Sequence, residues 1–409
     1  MIRRFCSLLS VGLLLVGGIG GTEIVELIYH PCGDTPVFCF GSPGRCEGLI
    51  NNRGEILHRF QVSHRISGPF NEGLIAAESP GSGLWGYLDT RGNWAIRPQF
   101  RRAWPFRYGM ARVKEQGPSQ GGSQYGFIDK SGEYVILPKF ENVSDFDQDG
   151  LARFWVGRGS KERRVGVIDQ SGQVVMEPTW LALEDFSEGV ARAMVGDGPC
   201  WSDDAPWMDI LRVYGGSREL YSTLMKNWPD RGDVPRCEWT LIGRHGKPVT
   251  NRRFRNIGPF SNSLAPARVD HLWGYVDRTG EFVIPPTWTS AAPFSDGRAA
   301  VLSQAPEASL DPGPPRKDWR GFINTAGEAA FETNVRGGEF HEGIAFVDGQ
   351  AIDREGNTLF QAPGKGWETP YCHGLSQVIL DNRSGQDAPM ETAFIDRKGR
   401  IVFAWKWRW

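Results

Sequence analysis

The sequence is short of every feature that announces chemistry. Its 409 residues carry 46 Lys and Arg against 48 Asp and Glu, a formal net charge of -2. So even a balance argues against a dedicated nucleic-acid or anionic-membrane surface. The seven histidines (His30, His58, His64, His245, His271, His341 and His373) show no metal-ligand spacing. No Gly-x-Ser-x-Gly elbow, phosphate loop or His-Glu-x-x-His is present. Cys372 and His373 are neighbours, and neighbours in an extended strand point to opposite faces, which excludes a dyad. The expectation is a protein with no catalytic residue, no metal and no cofactor, which works by binding or scaffolding.

Long hydrophobic runs are also absent, with one exception. Residues 1–21 read MIRRFCSLLSVGLLLVGGIGG, with Arg3 and Arg4 before an apolar run that ends at Ile19. That is the layout of a secretory signal peptide cleaved near Gly20, and the run is short for a spanning helix of ~20 residues. The expected location is periplasmic or secreted, with an uncleaved N-terminal anchor as the alternative. Six cysteines follow the leader, and an even number in an exported chain favours disulfides. Cys200 and Cys237 bracket one stretch and are the expected pair. The connectivity of Cys32, Cys39, Cys46 and Cys372 stays open.

What the sequence does have is a repeat. From Trp273 to Ala299 it reads WGYVDRTGEFVIPPTWTSAAPFSDGRA. An aromatic-Gly pair opens a short apolar strand, and Asp277-Arg278-Thr279-Gly280 makes a hairpin turn. In that turn Asp277 bonds its own backbone and Gly280 supplies the positive φ. Phe282 to Ile284 is the return strand, which Pro285-Pro286 stops. A third strand is expected after Phe294-Ser295-Asp296-Gly297, so each repeat reads as a three-stranded antiparallel meander. Turn glycines recur at Gly54, Gly92, Gly132, Gly172, Gly246, Gly280, Gly327, Gly356 and Gly399. An aromatic follows the first eight at 13 to 16 residues, whereas the distance on to the next turn glycine varies from 16 to 60. The constant part predicts core and the variable part predicts loops. The copy around Gly54 lacks the aromatic-Gly pair and is expected to be an end cap.

Trp85-Gly86-Tyr87-Leu88-Asp89, Tyr125-Gly126-Phe127-Ile128-Asp129 and Trp273-Gly274-Tyr275-Val276-Asp277, each followed by Pro-x-aromatic, resemble the WG-repeat family of bacterial proteins. The resemblance runs from about Gly48 to Gly399, with eroded copies near Gly54, Gly246 and Gly356 and Asn324 in place of a turn Asp. It implies an all-β fold of tandem repeats and an export or envelope tendency, and it carries no shared catalytic residues. The fold expected is therefore all-β, with about nine units in a propeller-like ring or an open β-spiral. Its parts are the leader 1–21, repeats over 22–195, an insertion over 196–238 and repeats over 239–409.

That insertion is the expected contact surface. Ser217 to Lys226 suits a short helix that Ser217 caps. Trp201, Trp207, Tyr221, Trp228 and Trp239 lie in or beside it. Exposed aromatics anchor protein interfaces and stack on sugars, while the bland alternative is a satellite core closed by Cys200 and Cys237. The regular turn aspartates (Asp89, Asp129, Asp169, Asp277, Asp353 and Asp396) are read as one cap per hairpin rather than a cation rim, because calcium wants 6–8 oxygens. A protein partner in the envelope is expected. Carbohydrate as ligand, or an enzyme site made from the insertion loops, is the alternative.

Overall fold

A computed structural model describes residues 13–14, 25–26, 33–42, 44–115, 124–157, 163–195, 238–303, 319–333, 338–363, 368–380 and 390–407. Among them there is no helix. Apart from a two-residue pair near the N-terminus, the strands form seven sheets of two to four strands and one of six. The six-stranded sheet holds two hairpin units joined by the long strand Ile56–Asn71. The expected nine units are therefore present, numbered 1 to 9 here by their turn glycines from Gly54 to Gly399.

The hairpin turn is built as its residues predict. Asp89 Oδ1 accepts the backbone N–H of Arg91 and of Asn93, each at 2.9 Å, and Gly92 closes the turn at φ 83°. Asn324 does the same for Ala326 and Glu328, so its replacement of the turn Asp costs the fold nothing visible. Hydroxyls at Ser131 and Ser171 bond Asp129 and Asp169 and hold both carboxyls below the usual range. These aspartates spend their oxygens on their own turns.

The grouping of strands differs from the expectation in one respect. Ala299–Ser303 pairs with Trp319–Ile323, not with the preceding return strand Phe282–Trp288. The sequence repeat and the sheet are thus out of phase. A unit contains a short first strand, a second strand after the Phe-x-x-Gly turn, the Trp-Gly strand third and the return strand fourth. The first strand escapes sequence reading because it is as short as Asn256–Ile257, or only a single bridge such as Val143 to Phe154.

The Trp-Gly pair has a steric cause. Return strands carry a bulge opposite it, which brings a backbone carbonyl over the glycine. A Cβ at Gly86, Gly126 or Gly274 would lie 2.5, 2.6 or 2.5 Å from the carbonyl oxygen of Ile96, Ile136 or Ile284. Unit 5 shows the converse. There Thr240 takes the glycine position, fully buried, and the return segment keeps only isolated bridges at Pro248 and Phe254.

Both faces of each unit are buried, since units stack on either side. Tyr87, Ile96 and Trp85 of unit 2 pack on Phe106, Ala111 and Val113 of unit 3, and the pattern repeats around the molecule. Each turn glycine also meets the return strand of the unit before it: Gly132 meets Ile96, Gly172 meets Ile136, and Gly399 meets Phe360. Gly54 of unit 1 meets Val402 of unit 9, and Phe40 and Ile50 share a core with Phe394 and Trp405. The array closes, as a β-propeller ring of nine units. The expected end cap at Gly54 is instead a full partner in closure, because a ring has no ends to cap.

Fourth strands form the exposed edge. Val135, Leu137, Val174, Val283, Leu359 and Ile401 on them are all exposed. Pro98, Pro138, Pro178 and Pro286 interrupt four of these edges, and a strand that lacks an N–H there resists pairing with another chain.

Candidate functional site

Antiparallel order fixes which connections share an edge of the ring. The Phe-x-x-Gly and Asp-x-x-Gly turns lie at one edge. Connections from second to third strand lie at the other. The segments 116–123, 158–162, 196–237, 304–318 and 381–389, all outside the described residues, fall between second and third strands. So the strands that flank the insertion, Val190–Val195 and Glu238–Gly243, direct it to the edge away from the turns.

Trp201, Trp207, Tyr221 and Trp228, the expected Cys200–Cys237 pair and the expected short helix all lie outside the described residues. Trp239 is described. It is half-buried and packs against the core cluster that holds Val190, Phe254 and Phe260 at the junction of units 5 and 6. Of the remaining cysteines, Cys39 and Cys46 form a disulfide that ties the second and third strands of unit 1. Cys372 is also disulfide-bonded.

The turn edge holds a device that sequence reading missed. At most junctions an acid just before the Phe-x-x-Gly glycine reaches the next unit. Its carboxylate accepts that unit's backbone N–H and meets a cation from that unit's Asp-x-x-Gly turn. Glu72 accepts from Gly109 N–H at 2.9 Å and pairs with Lys130 at 2.9 Å. Asp149 accepts from Gly189 N–H at 2.9 Å and pairs with Arg244. Glu188 takes Ser263 N–H and Arg278, each at 3.2 Å. Asp296 takes Gly343 N–H at 2.7 Å and Arg354 at 3.4 Å. Glu342 takes Gly374 N–H at 2.9 Å, while Arg397 donates to its backbone carbonyl at 2.6 Å. These acids sit at φ near 50° wherever the turn is three residues long, as at Glu72, Glu188, Asp296 and Glu342. That backbone disfavours side chains, so the bonds made there offset a cost.

Where the acid is missing, so is the cation. Between units 3 and 4 the two positions hold Tyr108 and Gln170, joined only by Gln170 Nε2 donating to Tyr108 O at 3.1 Å. Between units 6 and 7 they are Asn262 and Thr325. Between units 9 and 1 they are His373 and Asn52, and His373 Nε2 lies 2.7 Å from Gly33 O. The signal was in the sequence, as two positions about 50 to 95 residues apart that change together, but only the ring shows that they touch.

Two of these clasp-free junctions hold cavities. Between units 9 and 1 a cavity of about 170 Å³ is lined by Cys39, Cys372, Ile379, Trp405 and Trp407. A wider cleft of about 530 Å³ opens between units 3 and 4, follows residues 142–148 of unit 4 and reaches Asp185 and Phe186 of unit 5. Its walls are built by a recurring contact. Arg112 on the second strand of unit 3 donates to Val143 O and pairs with Asp145 at 2.9 Å. Arg153, one unit on, donates to Leu183 O at 2.7 Å and pairs with Asp185 at 2.5 Å. Arg112 also stands 4.2 Å from the Trp104 ring centroid, and Arg153 stands 5.5 Å from that of Trp155.

Asp147 completes the cleft. Its oxygens accept from Asp149 N–H, Leu151 N–H and, one unit on, Phe186 N–H. Burial pushes its carboxyl up to about 6 against those three donors, with Asp185 adding to the rise. Among the described residues no three metal-binding side chains converge.

Comparison with known proteins gives one family. The profile of the WG containing repeat matches residues 85–117, 125–154, 166–198, 239–271 and 273–303. Most of these stretches begin on or near the third strand of one unit and end on or just past the second strand of the next, the same phase shift that the sheets show. No curated protein matches the chain in sequence. Among solved structures, the crystal structure of a eukaryotic initiation factor superposes at a TM-score of 0.54 with 9% identity, over 88% of this chain and 93% of that one. Dipeptidyl peptidase 4 of Porphyromonas gingivalis gives 0.45 and 10%, over 81% and 58%. The β-propeller domain of the Trilobed protease from Pyrococcus furiosus gives 0.34 and 10%, over 83% and 95%. Likeness at such identities speaks to fold alone, and of these three only the first is close enough to do so.

Proposed function

From the premise that the chain belongs to the WG-repeat family, we propose that it is a non-catalytic binding or scaffold protein of the cell envelope, whose work is protein recognition. A propeller of WG repeats is a repeat-based frame whose core is spent on unit stacking, which leaves its edges for partners. One observation carries the reading. All five of the long second-to-third connections leave from the same edge, the aromatic-rich insertion of residues 196–238 among them. The strand ends that flank the variable segments thereby share one edge, while the opposite edge repeats the same turn nine times. Arg3, Arg4 and the apolar run that ends at Ile19, read as a leader, support export.

The test uses the exported protein with and without residues 199–238, as bait in envelope extract, with the melting transition of both forms followed in parallel. A partner retained by the full chain and lost by a deletion form that still melts cooperatively is the expected result. Equal recovery by both forms would move recognition to the repeat faces.

A further inference from the structure

We infer that the cleft between units 3 and 4 is a binding site for a neutral saccharide, separate from the insertion. The inference goes beyond protein recognition and does not depend on it.

Three observations meet at this junction. First, the clasp is missing, and missing in both halves: Tyr108 stands where an acid would reach unit 4, and Gln170 stands where a cation would answer it. Second, the turn of unit 4 is one residue longer than in the other units, since Gly150 follows Phe146 by four. Asp149 in that longer turn still clasps Gly189 of unit 5, as the acids of the shorter turns clasp their neighbours. Third, a cleft of about 530 Å³ lies there, with Tyr108, Trp155, Asn142 and six charged side chains in its walls above the core residues Val143, Phe146 and Phe186.

The lining selects the ligand class. Three guanidinium groups (Arg107, Arg112 and Arg153) face three carboxyl groups (Asp145, Asp147 and Asp185). A ligand of either sign would meet as much repulsion as attraction, so charge complementarity favours a neutral molecule. Tyr108 is half exposed, an aromatic at φ 54° where glycine or asparagine would be easier. Such a ring offers a flat apolar surface with a polar tip. Its hydroxyl, the Arg107 guanidinium and the Asn142 side-chain amide have no hydrogen-bond partner among the described residues. Between them they supply donors and acceptors within a polar cleft. A sugar ring matches this set, with an apolar C–H face for the aromatic and hydroxyls that both donate and accept. A purely apolar ligand would leave the paired charges desolvated without return.

The probes are neutral tetrasaccharides of β-1,4-glucose, α-1,4-glucose and β-1,4-N-acetylglucosamine, with tetragalacturonate as the charged control, followed by titration calorimetry on the full chain. Binding of at least one neutral probe at millimolar concentration or below is expected. Tyr108→Asn keeps a residue suited to its backbone and should weaken that binding at least tenfold with no loss of melting temperature; Asn142→Ala should weaken it several-fold. Rebuilding the clasp with Tyr108→Glu and Gln170→Lys should abolish binding while holding or raising the melting temperature. No binding by any neutral probe would overturn the inference. So would binding of tetragalacturonate alone, or affinity that survives Tyr108→Asn and the rebuilt clasp. If binding persists when residues 199–238 are removed, the site is the cleft. Loss on that deletion, with Tyr108→Asn harmless, would place the sugar on the insertion and sink this proposal while leaving the insertion's role in recognition intact.

Discussion

The junction between units 4 and 5 and the one between units 3 and 4 are built on the same core and finished differently. In both, an aromatic from the Phe-x-x-Gly turn, Phe186 or Phe146, is buried against the preceding unit. Both also have an arginine that reaches across to the next first strand. At the first junction Asp149 adds a clasp of one backbone N–H and Arg244. At the second Tyr108 adds none, and a cleft opens there that runs on to Asp185 and Phe186 of unit 5. Apolar stacking holds the ring everywhere, so the clasp is free to vary. Its loss permits a cavity without requiring one, since units 6 and 7 also lack it at Asn262 and Thr325 and neither of the two junction cavities lies there.

The comparison breaks most completely if unit 3 itself is broken. Gly126→Val would drive a Cβ to 2.6 Å from the carbonyl of Ile136, a backbone atom that cannot step aside. A loss of about 4 kcal/mol or more is expected by chemical denaturation, with both junctions of unit 3 failing together. A change confined to one junction would mean that units unfold singly. Next in size is the clasp at units 4 and 5. Asp149→Ala removes the acceptor of Gly189 N–H and the partner of Arg244, and Asp149 is only 8% exposed. The expected cost is about 1–3 kcal/mol. Tyr108→Ala, which removes no such bond, should cost less. Equal costs would dissolve the distinction between the two junctions.

A smaller effect depends on pH. Burial raises the Asp147 carboxyl from its ordinary value to about 6 in the folded chain. A group raised on folding contributes stability that is full below its unfolded pKa of 3.8 and is lost as pH rises through about 6. The turn carboxyls Asp129 and Asp169, held low, act in the opposite sense and lose their contribution as pH falls. Asp147→Asn isolates the first term. Its melting temperature relative to the parent should rise between pH 4 and pH 7. A difference that stays flat across that range would show that the three N–H donors, not burial, govern this carboxyl. The substituted amide cannot accept all three bonds, which adds an offset that does not change with pH.

Much of the frame was legible because the repeat states its local physics in its own residues. The Asp-x-x-Gly turn, the proline stop and the spacing from turn glycine to aromatic each have a local cause, and each is found in place. The first strand was not legible, because two residues or one bridge leave no periodic signal. Nor was the phase of the sheets, since a hairpin's two strands look alike whichever neighbour they join. Closure depended on Gly54 meeting Val402, nearly the whole chain apart. The clasp was written in pairs such as Glu72 with Lys130, but a pair without a ring gives no reason to read the two together. For the site, Trp239 proved to be a junction residue of units 5 and 6. The residues of the cleft carried no motif at all: Tyr108 is notable only for being unlike Glu72, Glu188 and Glu342 at the same place in their turns.

That last point yields the smallest and most selective test, at the clasp-free junction of units 6 and 7, outside those two cavities. Asn262 and Ser263 both already occupy the left-handed backbone region, at φ 54° and 62°. Glu72, Glu188 and Glu342 show that glutamate is accepted at that conformation in this ring. Asn262→Glu with Thr325→Arg would therefore write the missing clasp between units 6 and 7, offering a carboxylate to Gly297 N–H and to the new arginine. An exposed ion pair with one added backbone bond should stabilise by about 0.5–1 kcal/mol, and the pair should exceed the sum of the two single changes. The excess should shrink in high salt. If the two changes merely add, the joint variation of these positions around the ring reflects something other than contact. The rebuilt clasp at Tyr108 and Gln170 would then lose its rationale as well. If they couple, the glutamate–lysine pair placed at units 3 and 4 rests on the same contact, there beside a longer turn and the cleft.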